Sequence, residues 1–144
     1  LRLLCNLFDG MVAIEGGKQS PTGAFWNEAP DRLADILILA GMGLGAGNTV
    51  LGWAAAAFAV LTAYIRELGT SAGAAPDFSG PMAKPQRMAT ATIAAVAGIP
   101  IGILGLGLNA LEIGLWVIVA GSAVTALRRS WRLVSSLNGK RPGG

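Results

Sequence analysis

The sequence predicts an all-α, polytopic transmembrane bundle, and three observations carry that prediction. Of the 144 residues, 53% are hydrophobic and 13% charged, whereas a soluble domain carries about 25% charge. Residues 36–65, 88–111 and 113–127 contain no charged side chain, and about 20 apolar residues cross a hydrocarbon core. The breaks between these runs carry glycine, proline, or basic residues beside aromatics, the composition of loops and membrane interfaces. The chain therefore reads as one integral membrane domain, 1–144. Composition also excludes some chemistry. Without histidine there is neither imidazole catalysis nor imidazole metal ligation. Cys5 is alone, so no disulfide framework exists. The net charge of +3 is better explained by the position of the basic residues than by a nucleic-acid partner.

Leu1–Ala13 is apolar apart from Arg2, Asn6 and Asp9, which lie at i, i+4 and i+7 and so share a helix face. Polar groups placed this way in a membrane helix face a cavity or a partner. Glu15–Thr22 holds Gly16, Gly17, Ser20 and Pro21 and reads as a surface loop. A helix is predicted over Pro30–Gly45, with Pro30 at its start, where a missing N–H costs little. Asn27, Asp31 and Asp35 are four apart and stack on one face. Gly41, Gly43, Gly45 and Gly47 form overlapping small-xxx-small pairs, which let helices approach closely; equally, they reflect a Gly- and Ala-rich chain. Asn48 and Thr49 make a minimal turn into a helix over Val50–Ile65, closed by the interfacial group Tyr64, Arg66 and Glu67.

Leu68–Gln86 is the longest polar connection, and it places Lys84 and Arg87 at the mouth of the next apolar run. That run, Met88–Leu108, holds Pro100 between Gly98 and Gly102, where a kink is expected. Asn109–Glu112 forms a turn, and the last helix is predicted over Ile113–Leu127. Arg128, Arg129, Trp131 and Arg132 then form a basic and aromatic boundary, followed by a tail expected to fray.

The chemistry concentrates in Leu4–Asp35, which holds most of the acidic residues. Oxygen ligands on two facing helices could hold hard divalent cations. The same carboxylates equally suit a solvated helix start, near the positive end of the helix dipole. The order of residues is more specific. Asn6, Asp9, Gly10, Ala13 and Ile14, then Gly23, Asn27 and Asp31, resemble the signature D-x-x-D-G-x-x-A-R, a spacer, G-x-x-x-D-x-x-x-D of the CDP-alcohol phosphatidyltransferases. GAFWNEAPD at Gly23–Asp31 is similar to the corresponding family segment. The spacing is intact and five positions match. Asn6 and Asn27 stand where the family has aspartates, and Ile14 stands where it has arginine.

The resemblance implies a bundle of six helices with the signature after the first. This chain would then hold about the last four and the end of the second, and be incomplete at its N-terminus. It implies transfer of a substituted phosphate from a CDP-alcohol, CDP-diacylglycerol being the expected donor, to an acceptor alcohol, with release of CMP in phospholipid biosynthesis. Two Mg²⁺ or Mn²⁺ ions are expected, held by Asp9, Asp31 and the carbonyl oxygens of Asn6 and Asn27. Glu28 and Asp35 are candidates to compensate for the two missing charges. Asp31 takes the general-base role, Gly10, Ala13 and Gly23 the nucleotide, and Arg66, Lys84 and Arg87 the phosphate of the acceptor or headgroup. The basic pair at the helix mouth is explained as well by membrane topology alone. Two other functions stay open: a catalytically degenerate homologue that binds nucleotide or lipid, and a small structural or transport membrane protein.

Laid end to end, the predicted helices put Asn48 and Asn109–Glu112 on one side of the membrane. Every basic residue except Arg2 falls on the other side. The positive-inside rule makes that side the cytoplasm, so the expected site faces the cytoplasm from the inner or plasma membrane. The expected partners are a CDP-linked lipid, a small or lipid alcohol and the membrane itself. The glycine-lined helices would also permit a homodimer.

Overall fold

The computed structural model describes residues 23–139, all of its regular structure helical. Four helices follow in order: α1 (Gly23–Gly45), α2 (Thr49–Ser71), α3 (Lys84–Ile103) and α4 (Ala110–Gly139). The predicted helix end at Leu1–Ala13, the loop Glu15–Thr22 and the last five residues lie outside the described residues. Contacts divide the chain into two compact units, Leu1–Arg32 and Leu33–Gly144. α1 begins in the first unit; the bundle is the second.

The predicted helices are all present, but their ends differ for a shared reason. α1 to α3 each stop where a glycine takes a left-handed conformation: Gly47 (φ 71), Gly73 (φ 77) and Gly105 (φ 63). At each stop two amides reach back to free carbonyls. Asn48 N donates to Gly43 O and Gly47 N to Leu44 O. Ala74 N donates to Gly69 O and Gly73 N to Thr70 O, and Leu106 N and Gly105 N repeat the pattern on Ile101 O and Gly102 O. This is the Schellman closure, which satisfies the last carbonyls of a helix. α2 therefore runs past the charged pair Arg66–Glu67 to Ser71, and α3 ends at Ile103 rather than Leu108. α4 continues through Arg128–Arg132 to Gly139, so that part of the expected tail is helix. α1 starts at Gly23, which puts Pro30 inside the helix rather than at its start; the ring removes one bond, to the Trp26 carbonyl. Pro100 likewise lies inside α3, one turn from its end.

From Leu33 onward the helices run up and down alternately. Gly43 of α1 meets Gly52 of α2 so closely that a Cβ on Gly43 would lie 2.6 Å from the Gly52 Cα. One of the sequence's glycine pairs is thus an actual backbone contact, the kind small residues permit. Gly114 of α4 receives the Ala94 methyl of α3, which would lie 2.5 Å from an added Cβ. Leu39, Leu51, Ala55, Ala59, Leu115 and Ile118 fill the space between. The two turns at one end are tied together. Asn48 caps α2 through Leu51 N (3.1 Å) and donates to Glu112 (3.0 Å), while Asn109 caps α4 and donates to the Ala46 carbonyl (2.8 Å).

The fold is an all-α membrane bundle. α2 and α4 are long and apolar enough to cross a membrane, and less than half of each apolar window is covered by the rest of the protein. Trp53, Leu61, Trp116, Val117 and Leu127 stand exposed on these two helices, a surface that lipid covers without cost. The sequence predicts four spans. α1 carries Glu28, Asp31, Arg32 and Asp35 in its first half, and α3 dilutes its isoleucines with Ala, Thr, Gly and Pro.

Candidate functional site

The end of the bundle opposite the asparagine turns gathers the cations. α3 begins after an extended Ala83, with Pro85 in its first turn, where proline needs no donor. One turn further in, Arg87 points into the bundle and is 1% exposed. Its Nη2 donates to Asp35 Oδ2 at 2.7 Å, and Asp35 is equally buried. A buried ion pair of this kind is retained only with close geometry, because each charge has lost its water. Arg87 Nε and Ser122 Oγ are buried with no hydrogen-bond partner among the described residues.

A second group of cations lines an open cleft of about 350 Å³ between the ends of α2 and α4 and the connection between α2 and α3. Arg66 comes from α2, Arg129 and Arg132 from α4, and Asp77 from the connection. Arg129 and Arg132 are three apart and so share a helix face. Arg129 is nearly buried; its Nη1 donates to the Thr62 carbonyl and its Nε to the Ser79 carbonyl, both at 2.9 Å. Arg132 Nη1 donates to Ser79 Oγ at 2.6 Å and lies 3.6 Å from Asp77 Oδ2. The Arg66 guanidinium sits 5.2 Å from the centre of the Phe78 ring and also pairs with Glu67 at 2.6 Å.

Asp77, Phe78 and Ser79 thus form a strap across the cleft, held by all three arginines. The strap turns on itself where Ser79 N donates to Asp77 Oδ1 at 2.8 Å. Its exit is fixed by Gly80 (φ 141), packed on the Thr125 side chain, and by Met82 N donating to Thr125 Oγ1 at 3.0 Å. Burial pushes the Asp77 carboxyl up, but the Ser79 hydrogen bonds and the Arg132 and Arg129 charges outweigh it and leave the group below the usual carboxylate value.

Of the residues singled out in the sequence, Asn6, Asp9, Gly10, Ala13 and Ile14 lie outside the described residues. Gly23 and Asn27 fall in the first turns of α1, and Asp31 is buried one turn later. Arg66 lines the cleft, Lys84 is half-buried at the first position of α3, and Arg87 lies deeper, paired with Asp35. Arg87 and Arg66 are both within electrostatic range of Arg129. Among the described residues no three acidic or cysteine side chains are grouped as metal ligands. The two carboxylates expected to compensate for Asn6 and Asn27 are each held by an arginine: Glu28 by Arg32 at 3.0 Å and Asp35 by Arg87. Sequence reasoning missed Arg129, Arg132, Asp77 and Ser79 as site residues. The three-residue spacing of the two arginines was the available signal.

Fold and cleft together define a helical membrane protein with an arginine-lined recess at one end. The chain is similar to the phosphatidylinositol phosphate synthase of Streptomyces avermitilis, with 32% identity over 139 residues. The match takes in 90% of this chain and 56% of that relative, so the chain spans little more than half of its length. No protein-family model matches the sequence, and no solved structure matches it.

Proposed function

We propose that this chain is part of a CDP-alcohol phosphatidyltransferase that joins the phosphatidyl group of CDP-diacylglycerol to a phosphorylated alcohol and releases CMP. The observation that carries the reading is the similarity to a phosphatidylinositol phosphate synthase across nine-tenths of the chain, in agreement with the ordered pattern from Asn6 to Asp31. The arginine cleft supports the choice of acceptor. Guanidinium groups bind phosphate through paired, charge-assisted hydrogen bonds, and Arg66, Arg129 and Arg132 are within reach of one recess. An inositol phosphate is the acceptor that the name of the relative suggests. Lys84 belongs to the same proposed basic region, whereas Arg87 does not line the cleft and its charge is neutralised by Asp35.

In this reading Gly10, Ala13 and Gly23 admit the cytidine nucleotide close to the backbone, and Asp31 accepts the proton of the acceptor hydroxyl. That oxygen forms a bond to the phosphorus bearing the diacylglycerol, while the bond from phosphorus to the CMP oxygen breaks. Asp9 and Asp31, with the amide oxygens of Asn6 and Asn27, would hold Mg²⁺ or Mn²⁺, which when bound neutralises the pyrophosphate and stabilises the entering and leaving oxygens. The site would face the cytoplasm, where the nucleotide-linked donor is found.

One observation favours a second reading, that of a homologue which binds nucleotide or lipid without turnover. Asn6 and Asn27 remove two charges, and Glu28 and Asp35 are committed to arginines. The full-length protein, assayed for CMP release from CDP-diacylglycerol with Mg²⁺ across a panel of alcohols and their phosphates, separates the two. Turnover that Asp31→Asn lowers by about 10²–10⁴-fold supports the enzyme. Nucleotide binding without turnover, restored to activity by Asn6→Asp with Asn27→Asp, supports the second reading.

A further inference from the structure

The cleft is lined by three arginines and already contains an anion of the chain's own. Asp77 brings one negative charge beside Arg129 and Arg132, and Ser79 takes a hydrogen bond from each of those two arginines. Phe78 lies against the third, Arg66. The strap is anchored on its C-terminal side by Gly80 and Met82 against Thr125. Asp77 and Phe78 lie beyond that anchor, and Phe78 is exposed.

We propose that Asp77 is a displaceable counter-anion of the cleft and thereby a specificity-determining residue: an incoming anion takes its place on Arg132 and Arg129. This rests on the reading of the cleft as the anion site of the proposed function. The consequence for ligand choice follows from charge alone. A monoanion that displaces Asp77 exchanges one charge for one and gains little. A dianionic phosphate ester leaves an additional negative charge against the same guanidinium groups and is retained. The strap sets a minimum charge for the ligand.

The test uses the full-length protein in detergent micelles, titrated calorimetrically with inorganic phosphate and, separately, methanesulfonate as the monoanion. The buffer is held near pH 8, where inorganic phosphate is predominantly the dianion. Asp77→Asn keeps the shape of the strap and removes the resident charge. Displacement predicts that the variant binds both probes more tightly by the same factor, about two- to fivefold for a partly exposed pair. If phosphate tightens by roughly the square of the methanesulfonate factor, Asp77 stays in place and repels, and the proposal fails. It fails too if phosphate binding is unchanged or weakened, since Asp77 would then be aligning the arginines. If neither protein binds phosphate, or if Arg132→Gln leaves phosphate binding intact, the reading of the cleft falls and takes the strap proposal with it.

Discussion

Replacing Asp35 by asparagine breaks the buried ion pair and measures the cost of leaving one buried charge uncompensated. Asp35 and Arg87 are each about 1% exposed and meet at 2.7 Å. With charge centres about 4 Å apart and an effective dielectric of about 20, their attraction is about 4 kcal/mol. Desolvation of the two groups opposes it by several kcal/mol per ion, so the pair's net value is small while the loss of one partner is not. Asp35→Asn leaves the Arg87 guanidinium buried without its counter-charge, and its Nε already has no partner among the described residues. The expected destabilisation is about 3–5 kcal/mol. Arg87→Met alone is expected to cost a similar amount by removing the counter-charge of the buried Asp35. Asp35→Leu with Arg87→Met removes both charges and is expected to be neutral or more stable than wild type by about 1–4 kcal/mol. Denaturant unfolding in detergent micelles, followed by circular dichroism, gives all of these values and the coupling. A cost below about 1 kcal/mol for Asp35→Asn, or a double variant as unstable as the sum of the singles, would refute the reasoning.

Three further outcomes follow from local geometry. Gly43→Ala puts a Cβ 2.6 Å from the Gly52 backbone, which has no flexible side chain to yield, and is expected to cost about 1–3 kcal/mol; Gly41→Ala meets nothing within 4 Å and should not lower the melting temperature, because alanine favours helix over glycine. Gly80→Ala combines a φ of 141° with a Cβ driven into Thr125, so limited proteolysis should cut the connection between α2 and α3 faster; an unaltered rate contradicts the anchor. Because the folded Asp77 carboxyl lies below its usual value, its stabilisation is complete above the unfolded pKa of about 3.9 and is lost as pH falls through the folded one. Pepsin cleavage of the strap should therefore rise as pH drops below about 4, and Asp77→Asn should flatten that rise.

The bundle was legible because lipid-facing helices need long apolar runs, and the uncharged stretches in the sequence are mostly helix, broken only at the turns after α1 and α3. Charge does not mark the helix ends. Arg66–Glu67 and Arg128–Arg132 are helical, since a charged side chain at a membrane surface is compatible with helix and only its environment changes. What ends these helices is the free rotation of a glycine at the point where the last carbonyls need partners. Gly47, Gly73 and Gly105 were visible in the sequence, but they stood among many other glycines, some of them helical. Only a residue's place relative to its helix separates Gly43, a packing contact, from Gly47, a stop.

The arginines were harder to read because their partners are remote. Arg87 pairs across 52 positions, Arg129 across 50 and 67, and Arg132 across 53, so no local period reveals those partners. Arg129 and Arg132 therefore read in the sequence as a membrane boundary, and Arg87 equally as a phosphate ligand or a marker of membrane topology. The structure divides them by the kind of partner. Arg87 has a carboxylate at contact distance, which neutralises it in place. Arg129 is held by two backbone carbonyls, with Asp77 as its acidic neighbour. A carbonyl fixes a guanidinium without cancelling its charge. The second arrangement leaves a rigid cation whose field still reaches the cleft, and preorganised charge of this kind attracts an anion without the cost of ordering a mobile side chain on binding.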